Sequence, residues 1–233
     1  MRTESEIAGK RCIIYADDRP RLMLVQPTGE HEIAMLDDEL DAIRRDVSIP
    51  FVFVGFEIAD WELELMPFHD EFVSKRPEVG VHSDDTLRYL TDGLVPYFQK
   101  YYGSLPIVLG GYSLAGLFSL WACTRADMFA SVAACSPSLW VNGWVAYAER
   151  HPVFAESVYL SLGDREERTR NQRLAVVGDC LRAEYALLQQ QLGEARSMLA
   201  WEQGGHFNTP HLRLARGFAW CANFARHVVP NAY

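Results

Sequence analysis

A serine with small neighbours lies near the middle of the chain, in the segment Val108–Phe118. An apolar run of strand character precedes Ser113, and an apolar run of helical character follows it. A serine on a tight strand-to-helix turn needs small neighbours, which Gly111 and Gly116 provide. Its position at a helix N-terminus lets the next amide, that of Leu114, donate to an oxyanion. The pattern predicts Ser113 as a nucleophile.

The same glycine-rich turn could instead be a structural turn that only packs tightly, or a loop that binds phosphate. A phosphate loop would carry a lysine after its last glycine, whereas Leu117 follows Gly116 here. The strand before the turn and the helix after it favour the nucleophile over both alternatives.

A serine nucleophile needs a general base, so this hypothesis requires a histidine later in the chain. His206, His211 and His227 follow the last predicted strand. His206 comes after two glycines in the loop before the final helix, whereas the other two fall inside that helix. We therefore predict His206 as the base, the alternative being a loop histidine without a catalytic role.

A third group should orient the imidazole and stabilise its protonated form, which is the usual task of a carboxylate. Three candidates, Asp164, Glu166 and Glu167, follow the predicted strand Ser157–Leu162. Acidic runs of this kind are often only solvated, and residue types alone leave the choice among the three open.

These segments resemble the putative esterases of the α/β-hydrolase superfamily, a family that includes enterochelin-type, feruloyl and S-formylglutathione esterases. Four segments carry the resemblance: Gly110–Phe118 is similar to the nucleophile turn, Ser136–Trp140 to the segment after the following strand, Gly163–Glu166 to the acid loop and Gly204–His206 to the histidine loop. Their order along the chain is also that of α/β-hydrolases. The resemblance runs from about Leu105 to Asn208, and the N-terminal third agrees only in its strand pattern.

The resemblance implies further site residues. The family's acid usually stands three residues after the loop glycine, which favours Glu166, with Asp164 as second choice. The second oxyanion donor follows an earlier strand, where Pro27 has no N–H, so the amide of Thr28 is implied. Ala115 departs from the family pattern because many members have glycine there, but alanine is small enough for the turn.

Aromatic residues near the predicted site could shape a substrate pocket. Trp61 follows one strand at the functional edge, and Trp140 and Trp144 follow the strand after the nucleophile helix. They could line a site for an acyl group or an aromatic alcohol. The alternative is that they fill space beneath the loops.

The elements that must position these residues alternate along the chain. We predict strands at Arg21–Gln26, Pro50–Ile58, Leu105–Leu109, Ala130–Cys135, Ser157–Leu162 and Ser197–Glu202. We predict helices at Ile33–Arg45, from an N-cap at Ser83 to Gly103, at Leu114–Ala126, at Asn171–Leu192, and from an N-cap at Thr209 to Pro230. This alternation predicts an α/β-hydrolase fold, a mostly parallel sheet with helices on both faces and a minimal cap, in one domain over residues 1–233.

Composition excludes several classes of protein. Of 233 residues, 49% are hydrophobic, which argues against a disordered chain, and a net charge of −9 argues against a nucleic-acid partner. No apolar stretch is long enough to span a membrane, and the N-terminal residues do not resemble a signal peptide. The cysteines are scattered and odd in number, which favours a reducing compartment over a metal site: Cys12, Cys123, Cys135, Cys180 and Cys221.

We therefore expect a cytoplasmic serine esterase that needs neither metal nor cofactor and acts on a small or medium ester through an acyl-enzyme. The oligomeric state stays open. The alternatives are a thioesterase of the S-formylglutathione type, since the same three residues cleave thioesters, and a non-catalytic binding protein with this fold.

Overall fold

One sheet of eight strands organises the protein. The computed structural model describes residues 2–225, so His227 and Pro230 lie outside the described residues. The strands are β1 (Arg2–Ile7), β2 (Lys10–Ala16), β3 (Met23–Thr28), β4 (Val52–Glu57), β5 (Ile107–Tyr112), β6 (Ser131–Cys135), β7 (Ser157–Gly163) and β8 (Ser197–Glu202). Their order across the sheet is β1-β2-β4-β3-β5-β6-β7-β8. The six strands from β3 to β8 pair in parallel, which confirms the predicted mostly parallel α/β fold.

Helices cover both faces of this sheet. They are α1 (Glu30–Asp46), α2 (Trp61–Leu65), α3 (Ser83–Arg88), α4 (Val95–Tyr102), α5 (Leu114–Cys123), α6 (Trp144–Ala148), α7 (Gln172–Ala175), α8 (Val177–Leu192) and α9 (Pro210–Ala225). On one face α1 packs against α9, and Leu40 and Phe218 share an apolar core there. On the other face, Phe118 of α5 and Leu181 of α8 belong to a second core. Within residues 2–225 no helix combines the length and apolarity that a membrane crossing requires.

The parallel register brings several strand ends to one edge of the sheet. Tyr112 pairs with Cys135, and Cys135 pairs with Ser161 on the next strand. All residues of β5, β6 and β7 are buried, as expected for strands covered on both faces. The segments that follow these strands therefore start side by side at the carboxyl edge, where sites of such folds form.

Two strands were not predicted from the sequence. β1 and β2 form an antiparallel hairpin, and β2 pairs with β4, so the sheet is extended at one side. Charged residues alternate along β1, where only Ile7 is fully buried. The hairpin turns at Ala8 and Gly9, which both have positive φ, at 50° and 86°. Alanine is an unusual residue for such a turn, so the sequence carries only a weak hairpin signal.

Three predicted helices differ in detail from the structure. The helix predicted to begin at an N-cap Ser83 is capped at His82 and contains a π-helical turn at Tyr89–Leu94. The helix predicted for Asn171–Leu192 is divided at Val176 into α7 and α8. The helix after Ser113 ends at Cys123 instead of Ala126. Apolar periodicity predicts that a helix exists, but it gives little information on the residue at which the helix ends or on a break within it.

Candidate active site

Ser113 occupies a strained position between β5 and α5. Its φ of 58° and ψ of −119° lie outside the regions that non-glycine residues usually adopt. Backbone hydrogen bonds hold it there, since its amide donates to the Cys135 carbonyl and its carbonyl accepts from the Ser138 amide, both at 3.1 Å. Strain of this kind persists only where the surroundings fix the backbone, and it occurs preferentially at active sites.

The small neighbours of Ser113 are required by close backbone contacts. A Cβ on Gly111 would lie 2.3 Å from the Ala115 carbonyl oxygen. A Cβ on Gly116 would lie 3.1 Å from the Cβ of Pro137. Ala115 itself fits because the position opposite it is glycine, so the one departure from the family pattern leaves the turn intact.

Of the three candidate carboxylates, Glu166 is the one that contacts the imidazole. Its Oε2 lies 2.7 Å from His206 Nδ1. Asp164 instead accepts from the Gly204 amide at 2.8 Å, and Glu167 pairs with Arg182 at 2.8 Å. The acid loop thus uses each carboxylate differently, and the geometry favours Glu166 over Asp164 as the partner of His206.

The other oxygen of Glu166 is held by three donors. Oε1 accepts from Ser136 Oγ and the Gly163 amide, both at 2.7 Å, and from Arg213 Nη1 at 2.9 Å. Burial raises the pKa of Glu166, but hydrogen bonds from His206, Ser136 and Gly163 outweigh it and leave the pKa below its ordinary value. The carboxylate is therefore ionised and can orient a neutral imidazole with its proton on Nδ1.

The histidine loop is shaped by glycine and held by a tyrosine. Gly204 has a φ of 105°, and its amide reaches Asp164 as described above. The Tyr112 hydroxyl donates to the His206 carbonyl at 2.6 Å, and its ring centroid lies 5.2 Å from that of the imidazole. Phe207 contacts the imidazole edge-to-face at 5.1 Å and is 91% exposed. The imidazole is thus held between a buried and an exposed aromatic ring.

Ser113, Glu166 and His206 line one cleft with a volume of about 360 Å³. The remaining lining residues are Ser136, Ser138, Trp140, Arg165, Thr169, Leu174, Val177, Gly205 and Phe207. Within the cleft, the Ser113 hydroxyl lies 3.2 Å from Ser138 Oγ. Leu114 is the first residue of α5, so its amide belongs to the group of helical N–H donors that have no acceptor within the helix.

The three predicted tryptophans behave differently. Trp140 lines the cleft and makes an edge-to-face contact with Phe72 at 5.7 Å. Trp144 is 1% exposed and donates from Nε1 to Glu184 at 2.9 Å. Its assignment to substrate binding is therefore corrected, because this side chain belongs to the core. Trp61 is half-buried beside Gly29 and is not among the residues that line the cleft.

Thr28, the implied second oxyanion donor, ends β3. It is completely buried and lies outside the group of cleft-lining residues. Its carbonyl accepts from the Ile58 amide at 2.8 Å, and its hydroxyl donates to the Phe56 carbonyl at 3.1 Å. In a pair of parallel strands, the amide and the carbonyl of one residue point to the same neighbouring strand, so the Thr28 amide also faces β4. Binding of an oxyanion by this amide would require the end of β3 to change its pairing.

Sequence reasoning missed the residues that support the acid and the base, above all Arg213, Ser136 and Tyr112. Arg213 is completely buried although it is charged. One signal was available in the sequence, an arginine next to the apolar face of the last helix. A buried arginine requires a partner, but its burial becomes evident only when the fold is known.

A comparison with protein families now identifies the chain. A family model described as "Putative esterase" matches residues 47–206, more than half of the sequence. The chain belongs to this family. It is thus a carboxylic ester hydrolase of the α/β-hydrolase superfamily. A search of curated proteins found no match.

Solved structures of the same fold include several hydrolases. The siderophore hydrolase EstA from Aspergillus nidulans is 18% identical with a TM-score of 0.73, over 96% of this esterase and 95% of that chain. An IroE-like serine hydrolase from Shewanella oneidensis is 13% identical with a TM-score of 0.78, over 100% and 83%. The enterobactin esterase from Shigella flexneri is 16% identical with a TM-score of 0.67, over 98% and 60%. At these identities the likeness shows the fold alone.

Proposed function

We propose that this esterase is a serine hydrolase that works through an acyl-enzyme, with Ser113 as nucleophile, His206 as general base and Glu166 as the acid that orients it. The observation that carries the proposal is the shared cleft, where a strained serine lies with a histidine whose Nδ1 is 2.7 Å from an ionised carboxylate. This arrangement supplies the three roles that ester cleavage by serine requires.

In the first half of the reaction, the Ser113 hydroxyl turns from Ser138 toward His206 and attacks the ester carbonyl carbon. His206 Nε2 takes the hydroxyl proton, and Glu166 stabilises the resulting imidazolium. The imidazolium then protonates the alkoxide that leaves when the tetrahedral intermediate collapses to the acyl-enzyme. In the second half, His206 deprotonates water, which attacks the acyl carbon and releases the acid and the free serine.

The oxyanion of both tetrahedral intermediates is stabilised by the amide of Leu114 at the N-terminus of α5. A backbone donor of this kind contributes most when it is fixed before the reaction, as the tight turn between β5 and α5 fixes it here. Thr28 stays the implied second donor, subject to the change in strand pairing noted above.

The cleft favours substrates of small or medium size. The exposed surface of the cleft is mostly apolar, with Trp140, Leu174, Val177 and Phe207 among its walls. Its volume of about 360 Å³ accommodates a short or medium acyl group better than a long lipid. Because solved relatives are named siderophore and enterobactin hydrolases, siderophore esters belong in the substrate panel.

Replacing Ser113 with alanine tests the mechanism. Turnover of p-nitrophenyl butyrate should fall by at least about 10³-fold, because the remaining groups cannot form the acyl-enzyme. The matched control is Ser138→Ala, which removes a hydroxyl from the same cleft and should retain activity and labelling by a fluorophosphonate. Equal turnover by the parent and Ser113→Ala would refute the mechanism.

A matched panel of oxygen esters and thioesters then separates an esterase from a thioesterase. Higher kcat/KM for the oxygen esters is expected, and a preference for thioesters would assign the alternative activity. A parent protein that neither turns over any ester nor reacts with the fluorophosphonate would favour a binding function.

A further inference from the structure

A buried arginine connects the acid loop and the histidine loop. Arg213 lies in the first turn of α9, and its side chain has no exposed surface. Nη1 lies within hydrogen-bond distance of Glu166 Oε1 at 2.9 Å, of the Tyr112 hydroxyl at 3.0 Å and of Ser136 Oγ at 3.1 Å. These three partners follow or end three different strands, β5, β6 and β7.

The second terminal nitrogen of Arg213 binds the backbone of the histidine loop. Nη2 donates to the Gly205 carbonyl at 2.9 Å and to the Gln203 carbonyl at 3.3 Å. The Tyr112 hydroxyl, which contacts Nη1, in turn donates to the His206 carbonyl. One guanidinium therefore contacts the acid directly and the backbone on both sides of Gly204.

We propose that Arg213 is a positioning residue for this esterase, which holds the Glu166 carboxylate and the His206 loop in the mutual geometry that proton transfer requires. The inference rests on the proposed function, because it assumes that Glu166 and His206 act as acid and base. Arg213 acts through these two residues, since it is not among the residues that line the cleft.

The chemistry of arginine suits this task better than that of lysine. A planar guanidinium presents several donors in a fixed fork, so it can bind a carboxylate on one side and carbonyls on the other. A lysine at this position would keep the positive charge near Glu166 but could not span both loops. The two properties, charge and fork, can therefore be separated by substitution.

The cation also affects whether Glu166 is ionised. The charged and titratable groups around Glu166, taken from each packed element, are Arg213 on α9, His206 on its loop, Tyr112 on β5, Asp164 and Arg165 on the acid loop, and Glu202 on β8. Glu202 is paired with Arg216, and Asp164 accepts from the Gly204 amide. Arg213 is the cation in direct contact with the carboxylate, so its loss favours protonation of Glu166.

The test compares Arg213→Met and Arg213→Lys with the control Arg216→Met, which removes an exposed arginine of the same helix. The measurement is kcat and KM for p-nitrophenyl butyrate from pH 4 to 9. In Arg213→Met we expect kcat to fall about 10²-fold, as for a small misplacement of catalytic groups. We also expect the activity loss on the acidic side to begin at higher pH, with KM nearly unchanged.

In Arg213→Lys, activity should fall on the acidic side at the same pH as in the parent, because the charge remains. Its kcat should fall about 10-fold, because the fork is lost. Arg216→Met should match the parent in both respects. The proposal is overturned if Arg213→Met loses activity equally at all pH values, which would indicate a structural role only. Parental kcat in Arg213→Lys would overturn the role of the fork.

A measurement without substrate keeps this test independent of the proposed function and of ester choice. In a proton NMR spectrum, the downfield resonance of the His206–Glu166 hydrogen bond should be present in the parent and in Arg216→Met. When the samples are acidified, this resonance should shift or disappear at a higher pH in Arg213→Met than in the parent. If Arg213→Met does not fold, the test uses Arg213→Lys. In this variant the resonance should keep the parent's pH response, because the charge remains, but its chemical shift should differ from the parent's, because the fork is lost. A chemical shift identical to the parent's would overturn the proposal. Failure of ester turnover in the parent would bear on the proposed function and not on this result.

Discussion

Two buried glutamates, Glu166 in the cleft and Glu39 between α1 and the sheet, have opposite ionisation states. The Glu166 side chain is 5% exposed, and its pKa lies below the ordinary value. Glu39 is 1% exposed, and burial raises its pKa to about 8. Burial disfavours both charges, so burial alone cannot explain the difference.

Hydrogen-bond donors explain it. Glu166 has donors at both oxygens, among them a guanidinium at 2.9 Å. Glu39 has one long contact, from Gln26 Nε2 at 3.5 Å. Oε1 of Glu39 and Oε1 of Gln26 have no hydrogen-bond partner among the described residues. The fold thus maintains a buried negative charge at the site of chemistry, whereas the carboxyl group between α1 and the sheet is neutral at pH 7.

The comparison predicts that Glu166→Gln causes a large loss of activity. Oε1 of residue 166 must remain an acceptor for its three donors, so the amide nitrogen of glutamine would face His206 Nδ1. Two donors cannot face each other, and the imidazole would hold its proton on the wrong nitrogen. We expect kcat to fall by about 10³- to 10⁴-fold, measured with p-nitrophenyl butyrate at pH 7.5.

Asp164→Asn is the matched control for this loss. The amide oxygen of asparagine can still accept from Gly204, so activity should stay within a few-fold of the parent. An equal loss in both variants would contradict the assignment of Glu166 and would mean that the total charge of the acid loop matters, and not the contact of one carboxylate with His206.

Sequence patterns pointed to Ser113, Glu166 and His206, which the structure brings to one cleft, but they did not point to the residues that hold Glu166 in place. The Ser113 turn is a local feature, because strand, glycines and helix are contiguous, and His206 and Glu166 each follow a recognisable glycine. Arg213 and Ser136 are brought to Glu166 by the packing of α9 and β6 against β7, which no local pattern encodes. Trp144 shows the converse, since its position after a strand end suggested the cleft and its indole lies in the core.

The fold was predictable to a similar degree. Six of the eight strands coincide with apolar runs, and the alternation of these runs with helical patterns predicted their parallel pairing. The hairpin of β1 and β2 lacked a strong turn signal at Ala8, and its charged residues gave no apolar face to recognise. The single domain over residues 1–233 stays a prediction.

Glu39→Gln should increase stability at alkaline pH and leave activity unchanged. The pKa of Glu39 is raised from 4.5 in the unfolded chain to about 8, so folding takes up a proton between these values and stability falls as pH rises. At pH 8, the raised pKa of Glu39 lowers the free energy of unfolding by an amount on the order of 4 kcal/mol. Glutamine does not ionise, and its amide can donate to the unpaired oxygen of Gln26.

The free energy of unfolding in urea at pH 5 and pH 8 measures this effect. The variant should be more stable than the parent at pH 8 by up to about 4 kcal/mol, and the two should differ little at pH 5. A parent whose stability is the same at both pH values would contradict the neutral state of Glu39.

Glu184 provides an intermediate case and the smallest expected effect. It accepts one hydrogen bond, from Trp144 Nε1 at 2.9 Å, and burial raises its pKa to about 7. One good donor therefore makes the rise in pKa smaller than that of Glu39. Above pH 7, ionisation of Glu184 lowers the free energy of unfolding by an amount on the order of 3 kcal/mol.

In Glu184→Gln the carbonyl can still accept from Trp144, but the buried amide nitrogen lacks an acceptor in the described part of the chain, which costs about 1–2 kcal/mol. The net gain at pH 8 should thus be about 1–2 kcal/mol, smaller than for Glu39→Gln, and unfolding in urea should show a net loss at pH 5. A larger gain for Glu184→Gln than for Glu39→Gln would mean that the number of donors does not order these carboxyl groups.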